Sequence, residues 1–181
     1  MQFSYSWSCL YNKGFTLIET IVGIVVLAIS FSVLTSLIYP IAQQSAEQLH
    51  QVKAAELAQS MLNEIQNKAF DHNSDMAGGR IRCGDVIATP TICSTIMGSE
   101  IGEVRATFND VDDYNGLTDI QNSQGLPLEL YLGYKMIISV CNDASYNGSC
   151  TGNISTAKLI TVTIITPTDF SLHFSTYKAN F

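Results

Sequence analysis

The feature that most constrains the fold of this chain is a long stretch near its start without charged side chains. Between Glu19 and Glu47 there is no Asp, Glu, Lys or Arg. The most apolar part, residues 15–39, contains 25 residues, which corresponds to roughly 37 Å of α-helix at about 1.5 Å per residue. Because the hydrocarbon core of a bilayer is about 30 Å thick, the sequence predicts a membrane-spanning helix over residues 15–39.

One carboxylate lies inside this apolar block. Glu19 is the fifth of its residues. A lone charge in hydrocarbon costs on the order of 2.5–3.5 kcal/mol, so an ionisable residue in a membrane segment is a candidate functional site. We therefore interpret Glu19 as a functional residue.

The residues at the start of the block read KGFTLIE, at positions 13–19. This cluster resembles the processing site of type IV prepilins and related pseudopilins. The resemblance implies that a dedicated prepilin peptidase cuts after Gly14, that Phe15 is N-methylated, and that Glu19 pairs with the terminal amine of a neighbouring subunit. It also implies that the partners are other pilin subunits and an inner-membrane assembly platform.

The position of the apolar block relative to the cut supports this interpretation. A conventional secretory signal is cut after an apolar region of about 7–15 residues, and residues 28–30 (Ala-Ile-Ser) would be such a cut here. Cleavage after Gly14 would remove only a leader, residues 1–14, and leave the whole helix on the mature protein. A signal anchor and a conventional signal peptide are the alternatives.

Composition limits the partners of the mature chain. The formal charge is -7, and removal of the leader, which contains Lys13, changes it to -8. Binding to the nucleic-acid backbone requires clustered Lys and Arg, and the nearest approach to a basic run is Arg80 with Arg82. The sequence therefore predicts no nucleic-acid partner.

The cysteines fit a chain that crosses the bacterial inner membrane once. Cys9 lies in the leader, on the cytoplasmic side if Lys13 follows the positive-inside tendency. Four cysteines follow the helix, where a periplasmic location would allow disulfides, and four allow three pairings. Closure of short loops favours Cys83 with Cys93 and Cys141 with Cys150. A zinc site is the alternative, but neither pair has the spacing of a zinc ribbon.

The helix is predicted to continue beyond the membrane as an amphipathic segment, residues 40–70. Pro40 should interrupt or kink it, because proline lacks an N–H and clashes with the preceding turn. Apolar residues then recur at spacings of three and four. They are Ala58, Met61, Leu62, Ile65 and Ala69. Glu64 and Lys68 are expected to form an i, i+4 pair on the opposite face.

Residues 71–181 are predicted to form a β-rich periplasmic head. Three segments are dense in strand-forming residues: 130–141, 158–166 and 170–177. Thr168-Asp169 separates the last two, so they should form an antiparallel hairpin. A helix on an antiparallel sheet allows each to bury its apolar face, which predicts an α+β fold, with a pilin-like arrangement implied by the resemblance.

An acidic segment, FNDVDDYNG at residues 108–116, is a candidate metal site. Asp110, Asp112 and Asn115 offer the hard oxygen ligands that calcium prefers, although the spacing does not match an EF-hand. The competing interpretation is a solvated acidic turn without metal, and no cofactor is predicted.

The sequence indicates no enzyme. Its three histidines, His50, His72 and His173, have no accompanying nucleophile motif such as G-x-S-x-G. The aromatic residues of the later segments are expected to be core and strand-pair residues. They are Tyr131, Tyr134, Phe170, Phe174 and Tyr177.

Three stretches give a narrower resemblance, to the minor pilin-like proteins of the mannose-sensitive haemagglutinin (MSHA) pilus system. They are GFTLIETIVGIVVLAIS, FNDVDDYNG and KLITVTIITP. This resemblance implies a subunit of a surface pilus with a role in assembly or adhesion. The alternatives are a type II secretion pseudopilin, a ligand-binding adhesin head on a pilin stalk, and a membrane-anchored periplasmic enzyme.

Overall fold

The computed structural model describes residues 14–76, 79–85 and 92–181. Lys13, Cys9 and the rest of the predicted leader before Gly14 lie outside these ranges. The chain divides into two compact units, with the boundary between Ala46 and Glu47. We describe each unit by itself.

A single helix, α1, runs from Leu17 to Gln66 and contributes to both units. It contains Pro40, so the predicted interruption at that residue is wrong. A proline inside a helix removes the hydrogen bond from its own nitrogen to the carbonyl four residues earlier. Here the helical hydrogen bonding continues on both sides of that gap.

In the second unit, the part of α1 after Glu47 buries one face. The buried residues follow the predicted spacing of three and four, and they are Ala54, Leu57, Ala58, Met61 and Ile65. Leu62 is half-buried against the same core. This stripe packs with the inner face of the sheet in one hydrophobic core, so each element covers apolar surface of the other.

The sheet contains three antiparallel strands in the order β1-β2-β3. They are β1 (Lys135–Asn142), β2 (Ala157–Ile165) and β3 (Ser171–Ala179). Alternate residues of β1 and β2 point into the core, as the two-residue period of a strand requires. The buried ones are Met136, Ile138, Val140, Ile160, Val162 and Ile164. The predicted α+β fold is confirmed.

The first predicted strand begins five residues too early. Residues 129–131 form a 3-10 turn, and Gly133 has a φ of 84°, a left-handed conformation that ends any extended run before β1. The predicted hairpin is present: the amide of Thr166 donates to the carbonyl of Phe170 at 2.9 Å, and Asp169 supplies the positive φ of 61°.

The helix ends at Gln66, four residues before the predicted end. After the helix, the backbone pairs with the acidic segment instead. The amide of Ala69 donates to the carbonyl of Asn109, and the amide of Val111 donates to the carbonyl of Ala69. Lys178 of β3 donates to the carbonyl of Gln66 at 2.8 Å, which supplies a partner for a carbonyl that the helix leaves free.

The aromatic residues are less uniformly buried than predicted. Tyr134 is 9% exposed and lies in the core, whereas Phe170 is 45% exposed. Tyr131 and Phe174 pack at the edge of the core as half-buried residues. Tyr177 is also half-buried. The expectation of a core position is therefore wrong for Phe170, which follows the hairpin turn and faces outward.

Candidate functional site

The predicted cleavage junction lies just before α1, in residues that belong to no helix or strand. Gly14, Phe15 and Thr16 are exposed and precede the first helical residue, Leu17. Phe15 is 82% exposed, and a Cβ added to Gly14 would have no heavy atom within 4 Å. The peptide bond between Gly14 and Phe15 is thus open to approach from all sides within this unit.

Thr16 determines where the helix starts. Its hydroxyl oxygen accepts a hydrogen bond from the amide of Glu19 at 3.3 Å, and its carbonyl accepts the amide of Thr20 at 3.2 Å. Threonine with glutamate three residues later is the spacing of a capping box. We did not assign Thr16 a role from the sequence, although the T-x-x-E spacing was a usable signal.

Glu19 lies in the first turn of α1 and is exposed. The positive end of the helix dipole favours a carboxylate there. Within the described part of the chain, every ion pair is formed by residues in the range 64–158, so none of them includes Glu19. Glu19 thus presents its charge outward, about one helical turn from the predicted new N-terminus at Phe15.

The rest of this segment is an apolar surface. Leu17–Ile38 is 22 residues long with a mean hydropathy of 2.6, and none of it is buried. Some of its hydroxyl groups bond to the helix itself: those of Thr20 and Ser30 donate to the carbonyls of Leu17 and Val26, each at 2.8 Å. This is the one helix of the described residues that is long and apolar enough to cross a membrane.

In the second unit, two of the three predicted calcium ligands have partners within the chain. Asp112 accepts a hydrogen bond from Lys158 Nζ at 2.7 Å. Asn115 is engaged by backbone: its Oδ1 accepts the amide of Val140 at 3.0 Å. Asp112 and Asn115 therefore have other partners. Among the described residues, Asp110 Oδ2 and Asp112 Oδ1 are both buried without a hydrogen-bond partner.

The interpretation of the acidic segment as a solvated turn is wrong. Asp110 is 0% exposed, Asp112 1% and Asp113 3%. Their carboxylates serve the backbone of their own turn: Asp110 Oδ1 accepts the amide of Asp112 at 2.7 Å, and Asp113 Oδ2 accepts the amide of Asn109 at 2.7 Å. These hydrogen bonds from backbone amides of the same turn hold the carboxylates inward.

A fully buried lysine anchors this turn to the sheet. Lys158 of β2 is 0% exposed, and its Nζ also donates to the carbonyl of Phe70 at 2.7 Å and lies 3.4 Å from Asp71 Oδ2. Burial raises the pKa of Asp112 to about 7, although Lys158 acts in the opposite direction. We refer to Lys158, Asp71 and Asp112 as the Lys158 cluster.

A second buried cation ties the helix to the loop region. Arg105 is 8% exposed, and its Nη2 lies 2.7 Å from Glu64 Oε1. The hydroxyl of Tyr114 donates to the same carboxylate at 2.9 Å. The predicted pair of Glu64 with Lys68 is therefore wrong: Lys68 donates to the carbonyl of Phe108 instead.

Four carboxylates converge beside the acidic turn, and we call them the carboxylate cluster: Glu100, Glu103, Asp110 and Asp113. Burial, a hydrogen bond with Glu103 and the charges of Asp110 and Asp113 raise the pKa of Glu100 to about 7. Burial and the charge of Asp113 raise the pKa of Asp110 to about 6. Like charges held this close disfavour ionisation of one another.

The cysteines after the helix lie in the pairs favoured by loop length. Cys83 and Cys93 are at disulfide distance with Cα atoms 4.7 Å apart, and Cys141 and Cys150 likewise with 5.3 Å. The first pair is buried beside Phe70 in a small separate core, whereas the second lies at the surface.

Comparison with protein families finds one match. The family described as the prokaryotic N-terminal methylation motif matches residues 9–35, a range that contains Gly14, Phe15 and Glu19. No curated protein and no solved structure matches the chain. The match and the single apolar helix support a membrane-anchored, type IV pilin-like protein with a structural role, and the motif implies processing by prepilin peptidase and association with other pilins.

Proposed function

We propose that this chain is a minor type IV pilin of the MSHA type, processed by prepilin peptidase and involved in pilus assembly or adhesion. One observation carries the proposal: an exposed Gly14-Phe15 junction directly precedes an apolar helix whose first turn contains Glu19, inside the matched methylation motif. The narrower assignment to the MSHA system comes from the sequence resemblance.

The first step is processing at the membrane. Hydrolysis of the Gly14-Phe15 bond releases the leader and creates an amino group on Phe15, which the peptidase then methylates. The exposure of the junction suits a peptidase that must contact the backbone closely. Because Thr16 caps α1 by its own hydroxyl and carbonyl, the helix keeps its start after the leader is gone.

The second step is transfer of the helix from lipid to a filament. Leu17–Ile38 exposes apolar side chains along its whole length, so it is stable in the inner membrane and equally among other such helices. Exchange of one apolar environment for another yields little hydrophobic free energy. Packing between helices and pairing of Glu19 with the amine of a neighbouring Phe15 must supply direction, because an unpaired charge in that environment is costly.

The head, by this proposal, is periplasmic before assembly and lies on the pilus surface afterwards. The two cysteine pairs at disulfide distance fit an oxidising compartment. The same N-terminal features also fit a type II secretion pseudopilin, which is the second candidate. Incorporation into a surface pilus or into a secretion pseudopilus, followed in strains that lack one machine or the other, separates the two.

Co-expression with and without a prepilin peptidase tests the proposal. We expect mass spectrometry to show loss of residues 1–14 and a methylated Phe15 only when the peptidase is present. Gly14→Val should block cleavage, because a branched side chain prevents close approach to the scissile bond. Gly23→Val is the matched control, since Gly23 also has open space around it but lies inside the helix.

Two results would contradict the proposal. One is a mature protein that retains Met1 when the peptidase is active. The other is a cut after Ile38, which would remove the helix and identify residues 1–38 as a conventional signal peptide.

A further inference from the structure

The carboxylate cluster contains buried oxygen atoms whose hydrogen-bonding capacity is unused. Within the described residues, three such oxygens are Asp110 Oδ2, Asp113 Oδ1 and Glu100 Oε2. Asp110 and Asp113 are 0% and 3% exposed, so bulk solvent does not reach these oxygens. Burial of a charged oxygen without a partner costs several kcal/mol, which makes an accumulation of three in one place a site that needs a cation.

Carboxylate oxygens of the cluster converge on Glu100. Ligand atoms of Glu100, Asp110 and His72 lie within 4.8 Å of one another, and so do those of Glu100, Glu103 and Asp113. In Asp110 and Asp113 the other carboxylate oxygen is bonded to backbone amides of the turn. Those amides fix the two carboxylates in place, and the second oxygen of each has no hydrogen-bond partner among the described residues.

Two buried cations of the head, Lys158 and Arg105, have partners outside the cluster. Lys158 is bonded to Asp112 and Phe70, and Arg105 is paired with Glu64. His72 lies beside the cluster, with Nδ1 3.9 Å from Glu100 Oε2 and a side chain that is 50% exposed. One exposed imidazole does not neutralise four carboxylates.

We propose that the carboxylate cluster is a calcium site. Glu100, Glu103, Asp110 and Asp113 supply its oxygen ligands, and water and the Asn109 side chain are available to complete it. The ion joins two stretches that are separate in the sequence, residues 99–104 and the acidic turn that follows Phe108. This ligand set shares only Asp110 with the one predicted from the sequence.

Ligand chemistry favours calcium among common metals. Calcium binds about six to eight oxygens at roughly 2.3–2.6 Å in a flexible geometry, and the cluster offers carboxylate oxygens within 4.8 Å of one another. Magnesium requires near-ideal octahedral geometry at about 2.0–2.1 Å and retains several waters. Zinc prefers nitrogen and sulfur ligands, and the cluster offers only the imidazole of His72.

Calcium should act as a structural clamp. The 99–104 stretch contains the exposed side chains of Ile101 and Val104 and is held to itself by the amide of Glu100, which donates to Glu103 Oε2 at 3.1 Å. Without a cation, the four carboxylates repel one another. With calcium bound, the same charges become the attractive contacts that hold the stretch against the turn.

Calorimetric titration of the full chain in detergent micelles, stripped with EDTA, tests the site. Calcium chloride should bind with a Kd of about 10⁻⁴–10⁻³ M, the range of extracellular modules. At 10 mM calcium, a Kd near 10⁻⁴ M should raise the Tm of the head by about 5–10 °C. Magnesium chloride should give at least a tenfold weaker effect.

Glu100→Gln is the decisive variant, because the proposal predicts an equal or higher Tm for it in EDTA and a weaker affinity for calcium. In EDTA its Tm should equal or exceed that of the unmodified chain, since one repelling charge is gone. In calcium its affinity should fall at least tenfold, as a ligand is lost. Glu129→Gln, an exposed glutamate in a 3-10 turn outside the cluster, is the matched control and should bind calcium normally.

Several outcomes would overturn the proposal. They are no heat and no Tm change on addition of 10 mM calcium, unchanged calcium affinity in Glu100→Gln, or equal stabilisation by magnesium. If Glu100→Gln does not fold, terbium luminescence of the unmodified chain provides the second measurement. Terbium emission that is excited through tyrosine should be displaced by calcium and not by magnesium, and its absence also contradicts the site.

Discussion

The two units of this molecule treat charge and apolar surface in opposite ways. The N-terminal segment Leu17–Ile38 exposes its apolar side chains, and its one charge, Glu19, points outward without a partner of its own among the described residues. The head buries its apolar side chains and also buries charges, among them Lys158 at 0% exposure. Each unit contains an ionisable group in a place where an unpaired charge is expensive.

The difference lies in where the partner is located. Lys158 finds Asp112 at 2.7 Å and Asp71 at 3.4 Å inside its own chain, so the head completes its electrostatics on folding. Glu19, by our proposal, finds its partner only on a neighbouring subunit. A segment whose charge has no partner in its own chain favours assembly. A unit whose charges are paired internally is stable as a monomer. The predictions below test this contrast.

The largest effect is expected from Lys158→Met. Removal of the ammonium group leaves Asp71 and Asp112 buried without a cation, which should lower the free energy of unfolding by about 3–5 kcal/mol. Because single domains are stable by only about 5–15 kcal/mol, thermal unfolding followed by circular dichroism should show a head that is partly or wholly unfolded. Leader cleavage and membrane insertion should be unchanged.

Lys135→Met is the control for that change. Lys135 is the first residue of β1 and is exposed, so its replacement should alter stability by less than about 0.5 kcal/mol. Equal stability of the two variants would show that the Lys158 cluster is not what holds the acidic turn to the sheet.

Glu19→Gln should have the next largest effect, and on assembly alone. The neighbouring amine would lose its counter-charge, so incorporation into pili should fall at least tenfold, with a free-energy loss above about 1.4 kcal/mol. Quantitative immunoblots of sheared pili measure it. Cleavage after Gly14 and the Tm of the head should match those of the unmodified chain.

Glu56→Gln provides the comparison for Glu19. Glu56 is also an exposed glutamate of α1, but it lies in the part of the helix that belongs to the head. Normal piliation in Glu19→Gln, or an equal defect in Glu56→Gln, would refute the pairing.

The last prediction concerns the two cysteine pairs and affects only the stability of the head. The two loops have similar separations, 10 and 9 residues, so loop closure alone predicts a loss of about 2–3 kcal/mol for either double alanine variant. The Cys83–Cys93 pair is buried beside Phe70, and its removal also leaves a cavity. We therefore expect a lower Tm for that variant than for the Cys141–Cys150 variant. The reverse order would show that the surface loop contributes more.

The parts of this protein that the sequence determined are those encoded by neighbouring residues. Composition over a short window identified the apolar helix, and seven consecutive residues predicted the processing junction and Glu19. The density of strand-forming residues placed β2 and β3 to within one or two residues, and short loops favoured the two cysteine pairs. Each of these signals depends on local chemistry or on a loop that closes at small entropic cost.

Tertiary structure decided the fate of the charged residues in the head. Lys158 meets Asp112 across 46 residues and Asp71 across 87, and a sequence of DVDD cannot reveal whether a lysine so distant will cover it. The same holds for Glu100, whose proximity to Asp113 arises only when the chain folds back on itself. An aspartate or glutamate is written the same way in the sequence whether it is exposed or buried. Only the residues packed around it determine whether it is a solvated turn residue, an ion-pair partner or a metal ligand.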